Sequence, residues 1–326
     1  MRHNTAIRKI LVAVKEPRGR LAPYAIKAAQ IASACGASVE LFHTIATPVL
    51  TAATGSRPSL GSLMRTLRQA ALADLEKLAG EFRKRGVETR CSAAWDYPPH
   101  EAIIRHALHV GADLIVAKCR ARHRLRALLG YTDWSLVRDS PLPVLLLKSD
   151  DRYMRPTVLA AIDPTHRYAK PADLDRLILH EAARIGRAFG TRPHVMHAFL
   201  PPSYAALPDV MPAVVGDAVD SEAVTTARRN FRSALRGMAI PLRRRHLVEA
   251  DPVTAITSTA RKVNADIVVL GAVSRRGLKQ LFIGDTAERV LDELRCDLLV
   301  VKSDHFTSRV ARASRGAFVV APMGFA

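Results

Sequence analysis

One stretch of the chain decides the fold: Val268-Val-Leu-Gly-Ala-Val-Ser-Arg-Arg-Gly-Leu-Lys-Gln-Leu-Phe-Ile-Gly-Asp-Thr-Ala-Glu288. The β-branched run over 267–270 predicts a short strand that ends at Gly271, and Gly284 opens a segment with helical spacing. A helix N-terminus carries unpaired N–H groups and a partial positive charge, and glycines let an anion approach the backbone closely. Strand, glycine loop and helix start together predict an anion cradle, suited to the phosphates of a nucleotide.

An internal repeat divides the chain into halves. Gly130-Tyr-Thr132 matches Gly284-Asp-Thr286, and Leu145-Leu-Leu-Lys-Ser-Asp150 matches Leu299-Val-Val-Lys-Ser-Asp304, both at an offset of 154 residues. Equal offsets between motifs of the same type and order indicate duplication. The tail beyond the repeat is basic and then apolar, which suits disorder, docking on the body or binding to a partner. The predicted parts are a first domain over 1–150, a second domain over 156–304 and a C-terminal tail over 305–326.

Each half alternates short apolar runs with longer helical patterns. This alternation predicts an α/β fold in which each half forms a five-stranded, mainly parallel sheet with helices on both faces. The predicted strands of the first half cover 10–14, 39–44, 88–94, 114–117 and 144–147, and its helices cover 22–34, 60–85, 99–110 and 132–139. The predicted strands of the second half cover 158–162, 194–199, 244–249, 267–270 and 298–301.

The spacing Gly271-x2-Ser274-x9-Gly284-x-Thr286 resembles the nucleotide loop of the universal stress protein family. The segments 266–271 and 295–302 are also similar to the fourth and fifth strands of that family. The resemblance implies two tandem Rossmann-like domains of the adenine nucleotide alpha hydrolase-like type. It further implies pairing through the fifth strands, 144–147 and 298–301, as an intramolecular pseudo-dimer or in a homodimer.

By this resemblance the second domain binds an adenine nucleotide, ATP with or without Mg²⁺. Asp163 would contact the adenine or ribose side, although Asp-Pro-Thr also suits a turn. Ala198 would offer backbone groups to adenine. The predicted nucleotide-binding residues are Ile162, Asp163, Ala198, Leu270, Gly271, Ser274, Gly284, Asp285 and Thr286.

Two residues of the loop depart from the family pattern. Ser274 replaces a glycine, and its hydroxyl is able to substitute for a backbone contact. Asp285 stands where nucleotide-binding members often carry Ser or Thr. A carboxylate beside a triphosphate costs Coulomb energy unless a metal ion intervenes, and Asp285 equally suits a helix cap.

The first half departs further from the family pattern. Lys15 stands where Asp163 stands in the second half, Lys118 replaces Gly271, and Ala121 replaces Ser274. The side chain at position 118 obstructs close approach to the backbone. The first domain is therefore expected to lack ordinary ATP binding and to act as a structural partner or as a pocket for another ligand.

The sequence contains no pattern for catalysis or metal binding. Gly-x-Ser-x-Gly, His-Glu-x-x-His and a Walker lysine pattern are missing from the chain, and no nucleophile–base pair is visible. His106 and His109 lack a third ligand, and His43 and His197 fit core or cleft-edge positions. The predicted function is therefore stress-response regulation through conformation or partners, with weak ATPase activity in the same cleft as the alternative.

The net charge of +19 and the pI near 10.5 are the unusual features of the composition. Such a charge attracts nucleotides, nucleic acid or an anionic surface. The favoured interpretation is that the charges are spread over solvated helix faces, with nucleic-acid binding as the alternative. No apolar run reaches the roughly 18 residues of a membrane helix, and four scattered cysteines favour a reducing cytoplasm.

Overall fold

The computed structural model divides the chain into two compact units. One unit, the second domain, spans residues 153–306, and the other, the first domain, joins 2–152 to the C-terminal segment 307–326. The described residues are 6–17, 23–46, 49–50, 60–119, 132–165, 173–200, 217–272, 289–290, 293–317 and 319–320.

A parallel sheet forms the centre of the first domain. Its strands are β1 (Lys9–Ala13), β2 (Ser38–Ile45), β4 (Thr89–Trp95), β5 (Leu114–Lys118) and β6 (Val144–Leu147), and a short strand β3 (Val49–Leu50) lies outside this sheet. The helices are α1 (Pro23–Cys35), α2 (Leu60–Arg83), α3 (Pro99–Val110) and α4 (Thr132–Asp139). The strand order is β4-β2-β1-β5-β6, and each neighbouring pair is parallel.

The second domain repeats this arrangement. Its strands are β7 (Val158–Ile162), β8 (His194–Phe199), β9 (Arg245–Glu249), β10 (Ile267–Gly271) and β11 (Asp297–Val301). Its helices are α5 (Leu174–Ala188), α6 (Asp217–Ala234) and α7 (Pro252–Lys262). The strand order is β11-β10-β7-β8-β9, again with parallel neighbours.

The central strands are apolar because helices cover both faces of each sheet. Four of the five residues are buried in each of β1, β5, β7 and β10. In the first domain α2 packs on β2 and β4, and in the second domain α5 packs on β7, β10 and β11. Within the described ranges, the helices lack an apolar stretch of the length that a bilayer crossing requires.

An aspartate before the fourth large strand has the same role in both domains. Asp113 Oδ2 accepts from the backbone N–H groups of Arg8 (2.8 Å) and Lys9 (3.0 Å) at the start of β1. Asp266 Oδ2 accepts from Thr157 N (2.7 Å) just before β7. The repeated aspartates of the sequence therefore join neighbouring strands by satisfying N–H groups at the sheet end.

The C-terminal segment docks on the first domain, one of the three roles that the sequence allowed. Ser308 Oγ donates to Asp139 O (2.7 Å), and Arg315 N donates to Asp96 Oδ1 (3.0 Å). Strand β12 (Val319–Val320) pairs in parallel with β3. Residues far apart in the chain therefore complete one unit.

The α/β fold with a parallel sheet in each half is confirmed. The predicted strands coincide with the observed ones to within one residue at either end, and β6, β7 and β8 have the predicted bounds. Helix α2 ends at Arg83, two residues before the predicted end at 85, because the chain turns through 84–86 with Gly86 at a φ of 74°. The short strands β3 and β12 were not predicted.

Candidate nucleotide site of the second domain

The carboxyl ends of β7 and β10 meet in the middle of the second-domain sheet. From β7 the chain continues to β8 on one side, whereas β10 pairs with β7 on the other side. Such a reversal leaves a crevice beyond the strand ends, where ligands bind in open parallel sheets. The register that sets Val269 opposite Ala160 brings Gly271 level with Ile162, one residue before Asp163.

Asp163 follows β7 with a carboxylate that is fixed at one oxygen. Its Oδ1 accepts from Thr165 Oγ1 (2.6 Å) and from Thr165 N (3.3 Å). Among the described residues, none donates a hydrogen bond to Oδ2. The turn and the ligand contact foreseen for Asp163 are therefore compatible, because one oxygen holds the turn and the other remains an acceptor.

Sequence reasoning missed Asp175, whose side chain accepts a hydrogen bond from the backbone of Asp163. Asp175 lies in the first turn of α5, is 6% exposed, and accepts from Asp163 N through Oδ1 at 3.0 Å. The positive end of the helix dipole favours a carboxylate in the first turn. Its only sequence signal was an acidic residue near a helix start, which is too common to indicate a site.

Gly271 is required by packing at the end of β10. A Cβ at this position would lie 2.7 Å from Leu174 Cγ and Cδ2 and 3.0 Å from Ile178 Cδ1. Helix α5 thus packs directly against the glycine backbone. Leu270 is 5% exposed and belongs to the core.

The end of β8 contributes a buried histidine beside Ala198. His197 is 1% exposed, and its Nδ1 lies 3.3 Å from the carbonyl oxygen of Ile162. Ala198 is half-buried. The first domain repeats the contact, since His43 Nδ1 lies 2.8 Å from Val14 O, and burial lowers the pKa of His43. Both histidines occupy the core or cleft-edge positions that the sequence indicated.

The remaining loop positions lie outside the described residues. The structure brings the ends of β7, β8 and β10 to one edge of the sheet, with Asp163, Ala198 and Gly271 at those ends. The predicted residues outside the described ranges are Ser274, Gly284, Asp285 and Thr286.

The first-domain crevice contains an internal ion pair instead. Lys15, after β1, donates to Asp133 Oδ1 in the first turn of α4. Lys118 is exposed, and its Nζ lies 5.7 Å from the centre of the Tyr24 ring, within cation–π distance. Burial and then the charge of Glu16 raise the pKa of Tyr24. Protein groups therefore occupy the strand end where the second domain has Asp163.

Two of the three histidines of α3 bind carboxylates of the protein. His106 Nε2 lies 3.1 Å from Glu40 Oε1, and His100 Nε2 lies 3.4 Å from Asp139 Oδ2. Burial raises the pKa of Asp139, but hydrogen bonds from His100 and Arg138 outweigh it and lower the pKa to about 2. In the ranges that the structure describes, no three His, Cys, Asp or Glu residues form a group suited to a metal ion.

Known proteins share both halves of this architecture. The model of the universal stress protein family matches residues 6–148 and 154–302. Universal stress protein E of Escherichia coli (strain K12) is 30% identical over 244 residues, which cover 72% of this chain and 75% of that protein. Universal stress protein E of Photorhabdus laumondii is 28% identical over 264 residues, covering 78% and 82%.

Solved structures agree with this assignment. A putative universal stress protein from Pseudomonas aeruginosa UCBPP-PA14 is 27% identical, has a TM-score of 0.66, and covers 92% of this chain and 95% of its own. A functionally unknown protein from Pseudomonas aeruginosa PAO1 is 26% identical with the same TM-score, covering 92% and 94%. The chain therefore belongs to the universal stress protein family, as a tandem-domain member similar to universal stress protein E.

Proposed function

We propose that the second domain binds an adenine nucleotide, ATP with Mg²⁺, in the crevice beyond β7 and β10. Binding would alter the conformation or the partners of the chain and so serve stress-response regulation. The observation that carries this proposal is Asp163 at the strand switch point. Its backbone and one oxygen are held in place, while Oδ2 has no hydrogen-bond donor in the described part of the chain.

A fixed carboxylate oxygen suits the hydroxyl groups of a ribose. Oδ2 accepts without first breaking a protein contact, so little reorganisation opposes binding. The loop spacing from Gly271 to Thr286 predicts backbone N–H groups and a helix start suited to phosphates. These residues fit a nucleotide, and a magnesium ion would offset the charge of Asp285 beside the phosphates.

The first domain supports the assignment by contrast. Its strand end has Lys15 bound to Asp133, and the position of Gly271 carries Lys118. A ligand there would have to displace an ion pair whose carboxylate is buried. We therefore expect one nucleotide per chain.

Calorimetric titration of ATP with Mg²⁺ tests the proposal with two matched variants. Asp163→Asn keeps an oxygen for Thr165 but removes the charge, and Lys15→Ala alters the equivalent place in the first domain. We expect one site in the wild type, at least tenfold weaker binding in Asp163→Asn, which corresponds to about 1.4 kcal/mol, and unchanged binding in Lys15→Ala. Loss of binding in Lys15→Ala alone, or no binding by the wild type, would refute the assignment.

We further infer a cytoplasmic location from the cysteines. None of Cys35, Cys91, Cys119 and Cys296 forms a disulfide. Cysteines outside disulfides are typical of a reducing compartment. The proposed seam along 144–147 and 298–301 stays a prediction.

A further inference from the structure

The second domain contains a long stretch with arginines and no acidic residue. Residues 223–248 hold seven arginines and no Asp, Glu or Lys among 26 residues. The segment at the same 154-residue offset in the first domain, 69–94, holds five basic and four acidic residues. The excess of positive charge is therefore much larger in 223–248 than in the equivalent segment of the first domain.

The cations of the first-domain segment are all paired. The pairs are Lys77–Asp74 at 2.8 Å, Arg83–Glu76 at 2.8 Å, Lys84–Glu81 at 2.6 Å, Arg85–Glu81 at 3.3 Å and Arg90–Glu88 at 3.6 Å. Each positive charge on this surface thus has a carboxylate partner within seven residues of it in the chain.

The arginines of 223–248 differ from these cations in the part of the chain that the structure describes. In the part of the chain that the structure describes, none of the seven forms an ion pair. Arg244 donates to the backbone oxygen of Arg192, and Arg245 donates to that of Ile240 at 2.8 and 3.0 Å. Among the described residues, no carboxylate therefore pairs with the guanidinium groups of this surface.

The fold places these arginines on the outside of the domain. Helix α6 packs against β8 and β9 and buries Ala227 and Phe231, with Leu235 buried just beyond its end. The opposite side is exposed, and β9 is the last strand in the order of the second-domain sheet. We call the exposed set the arginine face: Arg228, Arg229, Arg232, Arg236 and Arg243.

The positive field of this region acts on nearby groups. Burial first, and then the charge of Arg244, lower the pKa of His194 to about 4. Burial and then Lys262, at the end of α7, lower the pKa of the neighbouring His246. Cations from several elements therefore converge on the same edge of the domain.

We propose that the arginine face binds the phosphate backbone of double-stranded nucleic acid without reading its base sequence. Guanidinium groups match phosphate oxygens in a bidentate geometry, and all seven basic residues of the stretch are arginine. Three of these arginines lie on α6, and Arg236 and Arg243 lie between the end of α6 and the start of β9, so the face presents several cations to the phosphates of a duplex.

Other polyanions fit this surface less well. Binding of single strands relies on exposed aromatic rings, but the only aromatic residue besides His246 in 223–248 is the buried Phe231. An anionic membrane calls for several apolar side chains beside the cations, whereas Leu242 is the one large apolar residue of the described stretch that is strongly exposed, at 80%.

Fluorescence anisotropy with a short labelled DNA duplex tests this proposal across about 50 to 200 mM salt. Two variants each remove four positive charges. The arginine-face variant combines Arg229→Gln, Arg232→Gln, Arg236→Gln and Arg243→Gln. The matched control combines Lys77→Gln, Arg83→Gln, Lys84→Gln and Arg85→Gln.

We expect the wild type to bind the duplex, with an affinity that falls steeply as the salt concentration rises. The arginine-face variant should bind at least tenfold more weakly at about 100 mM salt, with a logarithmic salt slope reduced by up to about 3 to 4. The control should retain the wild-type slope. Adding ATP should change neither result, which keeps this outcome separate from nucleotide binding in the crevice.

Three outcomes would overturn the proposal. Equal losses in both variants would show a general effect of net charge. Binding to single strands that exceeds binding to the duplex would indicate recognition of bases. Binding to vesicles that contain anionic lipid but not to the duplex, with a loss in Leu242→Ala, would assign the face to a membrane surface.

Discussion

The two domains have the same architecture but different polar groups at matching places. Packing positions are repeated: Asp113 and Asp266 both bind backbone N–H groups of a neighbouring strand start. The crevice is not repeated, because Asp163 has an unbound oxygen within the described structure whereas Lys15 is held in an ion pair. The two domains therefore share the polar groups that join the strands but differ in the polar groups at the crevice.

The outer sheet edge shows the same divergence. In the first domain Glu40 accepts from Ser92 and lies 3.1 Å from His106. At the matching place of the second domain His194 Nδ1 lies 2.9 Å from His246 Nε2. The ring centres are 5.2 Å apart and the planes differ by 12°, which places the rings end to end and not face to face. An acid–base pair and an imidazole pair therefore occupy equivalent sites.

The largest effect is expected from the arginine that joins the C-terminal segment to the first domain. Arg105 is buried, donates to both oxygens of Asp96 at 2.8 and 2.9 Å, and also binds Glu101 and the backbone oxygen of Ala311. Arg105→Met removes the cation that pairs with buried Asp96 and leaves this carboxylate with backbone N–H donors only, so the first domain should lose about 3–5 kcal/mol of unfolding free energy.

Tryptophan fluorescence measures this loss selectively. Both tryptophans, Trp95 and Trp134, belong to the first domain. The matched control is Thr259→Val, at the same 154-residue offset in the second domain, which should leave the tryptophan transition in place. An Arg105→Met variant with the wild-type urea midpoint would contradict the role assigned to this network.

The next effect concerns the glycine at the end of β10. Gly271→Ala places a methyl group 2.7 Å from Leu174, so the second domain should lose about 1–3 kcal/mol of stability through overpacking. Lys118→Ala, at the matching exposed position, should change stability by less than about 0.5 kcal/mol. In urea unfolding, circular dichroism should show the second domain of the variant unfolding at a lower urea concentration, whereas tryptophan fluorescence, which reports the first domain, should not change. A Gly271→Ala transition at the wild-type midpoint would rule out close packing of α5 on this backbone.

The sequence predicts the fold and the place of the crevice, but not the long-range polar contacts. The α/β fold follows from local periodicity and repeat spacing, because each strand and helix has its own apolar pattern. The crevice follows from the strand switch and the loop glycines. Asp175 was missed because one carboxylate in a first turn carries no specific signal. The contact between Arg315 and Asp96 spans 219 residues and has no local pattern at all.

Composition also concealed the charge distribution. A total of +19 is compatible with charges spread over solvated helix faces, the favoured interpretation of the sequence. The structure adds that the cations of 69–94 are paired, whereas those of 223–248 have no carboxylate partner among the described residues. Pairing depends on which side chains meet in space, and net charge alone does not contain that information.

A smaller effect is expected from the exposed end of the C-terminal contact. The Arg315 side chain is 58% exposed and binds Glu101 Oε1 at 2.9 Å. Arg315→Ala keeps the backbone bond to Asp96, so the first domain should lose only about 0.2–1 kcal/mol, and less at high salt. Urea unfolding followed by tryptophan fluorescence measures it. A loss as large as that of Arg105→Met would show that the side chain, and not the backbone contact, holds the segment.

The last effect concerns the response of stability to pH at the two sheet edges, and it is confined to acidic conditions. Because the pKa of His194 is about 4 in the folded chain and about 6.5 when unfolded, the unfolded chain binds more protons between these values. Second-domain stability should therefore fall as the pH drops from about 6.5 towards 4. Burial raises the pKa of Glu40, but hydrogen bonds from His106 and Ser92 outweigh it and lower the pKa overall. Its contribution should be lost only below about pH 4.5.

His194→Glu should make the second-domain edge respond like the first. A carboxylate opposite His246 favours the charged imidazole, so the pKa of His246 should rise from its lowered value in the wild type. Titration of the histidine ring signals by NMR measures this directly, and His43 in the first domain, whose pKa burial lowers, serves as the internal control. A His246 titration unchanged by the substitution would mean that the 2.9 Å imidazole contact does not form in solution, and the comparison between the two edges would then lose its basis.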